Sequence, residues 1–267
     1  MKYKAIICDF DGTLVGPERI IAPQVKSAIK SATNAGYIFS LASGRLFNGF
    51  IENTCKELNL RAPQITKGGA EIVDPISRKV IDGEYIPDKF AQEIIAYLTS
   101  IHAIFYVEKE DTAYTIDGKP IEAVGPIPFK HIDALVIHNV PKISIGSFGV
   151  STDEERKENE LKKMYPHLNI INASSPSGKN WDITAALANK QSAVLKVAKY
   201  FALTPEEIIG IGDGNNDIPL LEACGYKVAM GNASESLKTI ADYIAPSYHE
   251  YGVAIFLRNL LSQEKFR

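Results

Sequence analysis

Cysteine is scarce in this chain, tryptophan occurs once, long apolar runs are missing, and basic residues are not in excess. Cys8, Cys55 and Cys224 are the only cysteines, and none falls in a CxxC pair. That excludes a disulfide framework and a zinc ribbon. His102, His131, His138, His167 and His249 never fall at metal-ligand spacing. No segment approaches the length of a membrane span. The apolar run Ala5-Ile6-Ile7-Cys8 is cut by Asp9, too early for a signal peptide. With 29 Lys+Arg against 32 Asp+Glu the net charge is −3, so the basic excess of a nucleic-acid binder is lacking. The run Asp153–Glu158 is mixed in sign and reads as a solvated helix face. The expected setting is a reducing cytoplasm, with no nucleic-acid or membrane partner, as a monomer or weak homodimer.

What is present is an ordinary globular composition, 45% hydrophobic and 23% charged, in 267 residues that suit two domains. Residues 4–8 read as a buried strand ending in the acidic turn Asp9-Phe10-Asp11-Gly12-Thr13. Val25, Ala28, Ile29 and Ala32 recur at helical spacing over 23–35, and Gly36 stands where that helix stops. Tyr37–Ala42 reads as a second strand, closing a βαβ unit and implying a parallel sheet. A helix over 46–58 and a β-like stretch turning at Gly68-Gly69 follow. The middle differs. Strands at Ile104–Glu108, Ala113–Ile116 and Lys142–Phe148, helices near 88–101 and 153–165, and turn clusters at Asp82-Gly83 and Ser174–Gly178 suggest an α+β insert with an antiparallel sheet. Residues 127–141, broken by prolines, yield no assignment. From Lys190 the α/β rhythm returns, with helices at 190–202, 215–223, 234–240 and 250–261 and strands at 207–211 and 228–230. The predicted class is α/β, a Rossmann-like parallel sheet core formed by 1–83 and 186–267, with an α+β domain, 84–185, inserted in it.

Three apolar strands end in a polar residue: at Asp9, at Ser43-Gly44, and at Gly212-Asp213, the last two beside glycine. In open parallel sheets ligands bind beyond the carboxyl ends of strands, so Asp9, Ser43 and Asp213 are expected to line one crevice. The run Gly212-Asp213-Gly214-Asn215-Asn216-Asp217 fails as a calcium loop, because Ile218 and Cys224 stand where Gly and Glu are needed. It fails as a dinucleotide fingerprint because Asn215 replaces the third glycine. What remains is a carboxylate cluster. Gathering Asp9, Asp11, Asp213 and Asp217 in one crevice is costly without cations. Mg²⁺, which takes oxygen ligands, together with Lys190 and Arg45 would balance it. A phosphate could then be held at Ser43, at the Gly44 amide and at helix N-termini.

Asp9-Phe-Asp11-Gly-Thr13, Ser43-Gly-Arg45, Lys190, and Gly212-Asp213-Gly-Asn-Asn216-Asp217 resemble, in order and spacing, the four motifs of haloacid dehalogenase (HAD) superfamily phosphatases. The insert between the second and third motifs resembles the class IIB cap of the Cof-like group. Trp181-Asp182-Ile183-Thr184, Ala229–Ala233 and Gly252-Val253-Ala254 are similar to that group too. Gln191 and Lys67-Gly68-Gly69 depart from its pattern. The resemblance implies a Mg²⁺-dependent phosphatase of a small phosphorylated metabolite, a sugar phosphate or similar phosphomonoester. Asp9 would be the nucleophile and Asp11 the general acid and base. Asp9, the Asp11 backbone carbonyl and Asp213 would hold Mg²⁺, with Asp217 behind them. Ser43, Gly44, Arg45, Lys190 and Asn216 would hold the phosphate. Lys67 reads as peripheral, Trp181 as a packing residue, and Cys8 as a small buried hydrophobe. The rival readings are a phosphosugar mutase of the same superfamily and a phospho-accepting signalling module.

Overall fold

The computed structural model describes residues 2–121, 124–149, 154–172 and 180–264. The chain opens with β1 (Ala5–Cys8), α1 (Pro23–Asn34), β2 (Ile38–Leu41) and α2 (Phe50–Leu58). All four residues of β1 are buried, as a strand covered on both faces must be. In α1 the buried side chains are Val25, Ala28, Ile29 and Ala32, the apolar stripe expected from their spacing, and proline stands in its first turn. The second helix is shorter than expected. It starts at Phe50, because Gly49 takes a positive φ of 66° and interrupts the backbone ahead of it. Next come β3 (Gln64–Thr66), β4 (Glu71–Val73) and β5 (Val80–Gly83), a small antiparallel sheet turning at Gly68-Gly69. Asp82-Gly83, expected as a turn, instead ends the edge strand β5.

The insert contributes α3 (Asp88–Ser100), β6 (Ile104–Lys109), β7 (Thr112–Thr115), β8 (Phe129–His131), β9 (Lys142–Ser147), α4 (Glu154–Met164), β10 (Leu168–Asn172) and β11 (Trp181–Ala185). They form one six-stranded sheet in the order β10-β11-β9-β6-β7-β8. Its pairs are antiparallel except β7 with β8, where the proline-interrupted connection returns the chain in the same direction. That corrects the purely antiparallel expectation and supplies a strand in the stretch left unassigned. The turn cluster Ser174–Gly178 lies outside the described residues.

The chain closes with α5 (Lys190–Tyr200), β12 (Ile208–Gly212), α6 (Ile218–Glu222), β13 (Tyr226–Ala229), α7 (Glu235–Ile240), β14 (Tyr243–Ile244) and α8 (Gly252–Glu264). The core sheet is wholly parallel, in the order β14-β13-β12-β1-β2. Chain order reverses beside β1: β2 lies on one side and β12 on the other. That is the topological switch point at which such sheets bind ligands. Two large apolar clusters and a small third one of Ala70, Ala185 and Ala188 lie among the described residues. Of the two large ones, the first packs around the core sheet, and the second lies between the insert's sheet and the helices α3 and α4. Trp181 belongs to the second, against Phe148 at 4.8 Å between ring centroids, with its indole N–H on Glu158 at 2.7 Å. It is a packing residue. Cys8, Cys55 and Cys224 are buried free thiols, and burial holds each well above its ordinary pKa.

Candidate active site

The Asp9 amide donates to the Ile211 carbonyl at 2.8 Å, which locks the ends of β1 and β12 together. Asp9 and Asp213 therefore leave adjacent strand ends, as expected. Asp9, Asp213 and Asp217 bring carboxylate oxygens within 4.8 Å of one another. Asp217 is buried and its carboxylate is fully engaged. One oxygen faces Lys190 at 2.5 Å, and the other accepts from the Asp213 and Gly214 amides at 3.0 Å each. It folds its own loop into the site. Thr13 donates to Asp213 at 2.7 Å. The turn between Asp11 and Thr13 needs glycine. Gly12 has φ +83°, and a Cβ there would stand 2.3 Å from an Asp213 oxygen.

Lys190 is buried at the first residue of α5, where the helix dipole disfavours a cation. Asn189 caps that helix by accepting from the Ser192 amide at 2.9 Å. The Lys190 ammonium sits 2.5 Å from both Asp9 and Asp217. Burial alone would lower its pKa, but the charges of Asp217 and Asp9 outweigh burial and hold the pKa above the ordinary lysine value. Burial, and then the Asp217 charge, push Asp9 well above the usual carboxylate range, with Lys190 partly compensating. The same two causes raise Asp213 to about 7.

Three carboxylates against one ammonium leave a formal excess equal to the charge of one divalent cation. The donors are all oxygen, as Mg²⁺ requires. The residues therefore fit a divalent cation. Its binding must displace the proton of Asp213, whose raised pKa makes the ionised form costly between the ordinary value near 3.8 and about 7. Mg²⁺ affinity is accordingly expected to be about 10-fold weaker at pH 6 than at pH 8. Titrating the Mg²⁺-induced rise in Tm at the two pH values checks it, and equal affinities would contradict it.

Ser43 is buried past the end of β2. Its amide donates to Ile65 at 3.0 Å, and its hydroxyl accepts from the Arg45 amide at 3.1 Å. No Cβ contact restricts Gly44. Arg45 does not join the carboxylate cluster. Its guanidinium makes two 2.7 Å bonds to the exposed Asp11 carboxylate and reaches the Val124 carbonyl of the insert at 3.3 Å. The Asp11 side chain thus lies beside the carboxylate cluster, not in it. Asn216 is exposed, and Lys190 contacts Asp9 and Asp217 rather than this amide.

Lys67, expected at the periphery, is buried. It pairs with Glu71 and donates to the Glu110 carbonyl of the insert at 3.1 Å. Beside it, Gly69 has φ +103°, and a Cβ would collide with the Asn189 carbonyl at 2.3 Å, so this turn abuts the start of α5. Sequence reasoning gave no role to Asn232. Its amide donates to the Gly12 carbonyl at 2.8 Å and accepts from the Tyr248 amide at 3.1 Å, holding the Asp11–Thr13 turn. The only signal was its place in the Ala229–Ala233 segment.

A profile of the haloacid dehalogenase-like hydrolases matches residues 6–257. A Bacillus subtilis 5-amino-6-(5-phospho-D-ribitylamino)uracil phosphatase, YcsE, is 30% identical over 96% of this chain and 95% of its own. A haloacid dehalogenase-like hydrolase from Bacteroides thetaiotaomicron superposes with a TM-score of 0.85 at 23% identity, over 97% of this chain and 100% of that one. A sugar phosphatase of HAD subclass IIB superposes with a TM-score of 0.78 at 26% identity, over 96% and 98%.

Proposed function

The chain belongs to the haloacid dehalogenase-like hydrolases, and from that membership we propose a Mg²⁺-dependent phosphatase that cleaves a small phosphorylated metabolite, a sugar phosphate or similar monoester, through an aspartyl-phosphate on Asp9. The observation that carries the reading is the buried meeting of Asp9, Asp213, Asp217 and Lys190 at the switch point of the sheet. The similar proteins named for phosphomonoester hydrolysis support it.

In the first half-reaction an Asp9 oxygen attacks phosphorus. The bond to the leaving oxygen breaks, and its electron pair departs with that oxygen. Asp11 gives the departing oxygen its proton. In the second half Asp11 takes a proton from water as the water oxygen attacks phosphorus. The bond to Asp9 breaks, restoring the carboxylate and freeing inorganic phosphate. Both Asp11 oxygens accept one hydrogen bond from Arg45, which orients the carboxylate and leaves each oxygen a lone pair to exchange a proton with a substrate. Ser43, the Gly44 amide, Lys190 and Asn216 hold the phosphoryl oxygens, and Arg45 keeps Asp11 in place between turnovers. Asp9, Asp213 and the Asp11 carbonyl would hold Mg²⁺, oriented by Asp217, and the ion supplies neutralising charge for the transferring group. Residues 84–185 act as the cap, which closes the crevice and excludes water.

Phosphate release from a panel of phosphorylated metabolites, with and without excess EDTA, tests the proposal. Release is expected to fall to background in EDTA and to return with Mg²⁺. Undiminished turnover in EDTA would sink the metal requirement. Many turnovers to free phosphate set a phosphatase apart from a mutase or a phospho-accepting module.

A further inference from the structure

The six-stranded sheet of the insert has two unlike faces, both buried over the centre of β6, β9 and β11. Phe105, Val107, Ile143, Ile145 and Ile183 point to α3 and α4 and make an ordinary apolar core. The opposite face carries Glu108, Lys142, Ser144, Asp182 and Thr184, each buried, with Tyr106 in the same row. This face looks toward the catalytic core, because the Lys142 ammonium donates to the Gly44 carbonyl at 2.7 Å. Burying charges to hold two domains together is a poor use of area, since apolar residues of like volume do as well or better. A few fixed polar groups held away from water are what ligand recognition uses.

The register sets Glu108 opposite Lys142, and Ser144 opposite Asp182. The Lys142 ammonium has three protons, and three acceptors take them: Gly44 at 2.7 Å, Glu108 at 2.9 Å and Asp182 at 3.3 Å. Asp182 uses its second oxygen to accept from Ser144 at 2.7 Å and from Asn180 at 3.2 Å. Glu108 differs. One oxygen is on Lys142, and the other is buried with no hydrogen-bond partner among the described residues. The donors of Lys142, Ser144 and Thr184 are in use, and one carboxylate oxygen is left over. A buried acceptor without a donor is costly. The platform as a whole, two carboxylates and one ammonium, carries one net negative charge.

We infer that the free Glu108 oxygen is a specificity-determining contact that accepts a hydrogen bond from an O–H or N–H of the leaving group, so that the enzyme favours phosphomonoesters of uncharged polyols or amino-polyols over esters lacking a donor and over bisphosphates. This rests on the phosphatase reading and names the substrate class of that same crevice. Through Lys142 the carboxylate stands one ammonium away from the carbonyl of Gly44, in the loop that grips the phosphate. A monoester bound there directs its alcohol portion at this face. A second phosphate would meet the negative platform, a like-charge contact that selects against it.

The test compares kcat/KM of the full-length, Mg²⁺-loaded protein for ribitol phosphate, n-butyl phosphate, a hexose bisphosphate and nitrophenyl phosphate. Ribitol phosphate should exceed both n-butyl phosphate and the bisphosphate by about 10-fold or more, the worth of a hydrogen bond to a charged group. In Glu108→Met the ribitol-to-butyl ratio should collapse by about 10- to 100-fold, and the preference against the bisphosphate should narrow. A wild-type ratio retained in a folded Glu108→Met overturns the assignment. Should that variant not fold, the wild-type comparison decides: equal use of ribitol and butyl esters, or preference for the bisphosphate, overturns it. If nitrophenyl phosphate is cleaved and only the ratios disagree, the Glu108 inference fails alone. If no ester yields phosphate, the phosphatase reading fails and takes the inference with it.

Discussion

Asp9→Asn is expected to lower phosphate release by about 10⁴- to 10⁶-fold, the scale on which loss of an attacking group acts. The amide keeps the shape of the carboxylate but cannot attack phosphorus, and it withdraws one ligand charge from the cluster. The loss should come without unfolding. Asp9 is buried, and its raised pKa means the folded protein disfavours the ionised group at neutral pH. In metal-free buffer the variant should therefore melt no lower than the wild type near pH 8. A large fall in Tm alongside the activity loss would mean that Asp9 acts through the fold instead.

Asp11→Asn should behave differently, because it removes a proton carrier and leaves the nucleophile. General acid–base help is worth about 10²- to 10⁴-fold. Sugar alkoxides leave poorly and need the proton, whereas nitrophenolate leaves well without it. The phosphorylation step should therefore slow by about 10²- to 10⁴-fold on a sugar phosphate and far less on nitrophenyl phosphate. The second step should slow with both, since water is no longer activated, and phospho-enzyme should build up. Stability should change little: the Asp11–Arg45 pair is exposed on the Asp11 side, and such pairs contribute about 1 kcal/mol or less. Rapid-quench measurement of the two steps, with both esters, separates this pattern from a uniform loss.

The core was legible in the sequence where one physical signal dominated. Ala5–Cys8 is short, wholly apolar and followed by an acid, which suits a central strand and a site at its end. The stripe of Val25, Ala28, Ile29 and Ala32 gave α1 for the same reason. The insert was harder because its sheet is buried on both faces while one face is polar. In β11, Asp182 and Thr184 alternate with Trp181 and Ile183, a pattern that suggests a half-solvated strand, although all five residues of the strand are buried. The two-residue β14 is too short to show any period. Site residues within motifs, such as Asp9, Asp213 and Asp217, could be read because neighbours in sequence share a loop. Arg45 on Asp11, Asn232 on Gly12, and the cluster of Glu108, Lys142 and Asp182 could not, because only the tertiary fold joins partners so far apart. The burial of Lys67 could not be read either, because a lysine in a glycine turn gives no sign of its buried pairing with Glu71.

The central claim is a covalent phosphoryl-enzyme on Asp9. Asp11→Asn, mixed with Mg²⁺ and nitrophenyl phosphate, quenched in acid and digested, should yield the Asp9 peptide with one added phosphoryl group by mass spectrometry. The same experiment on the Asp9→Asn, Asp11→Asn double variant should leave that peptide unmodified. A phosphoryl group on another residue, or equal labelling of the double variant, would contradict the account.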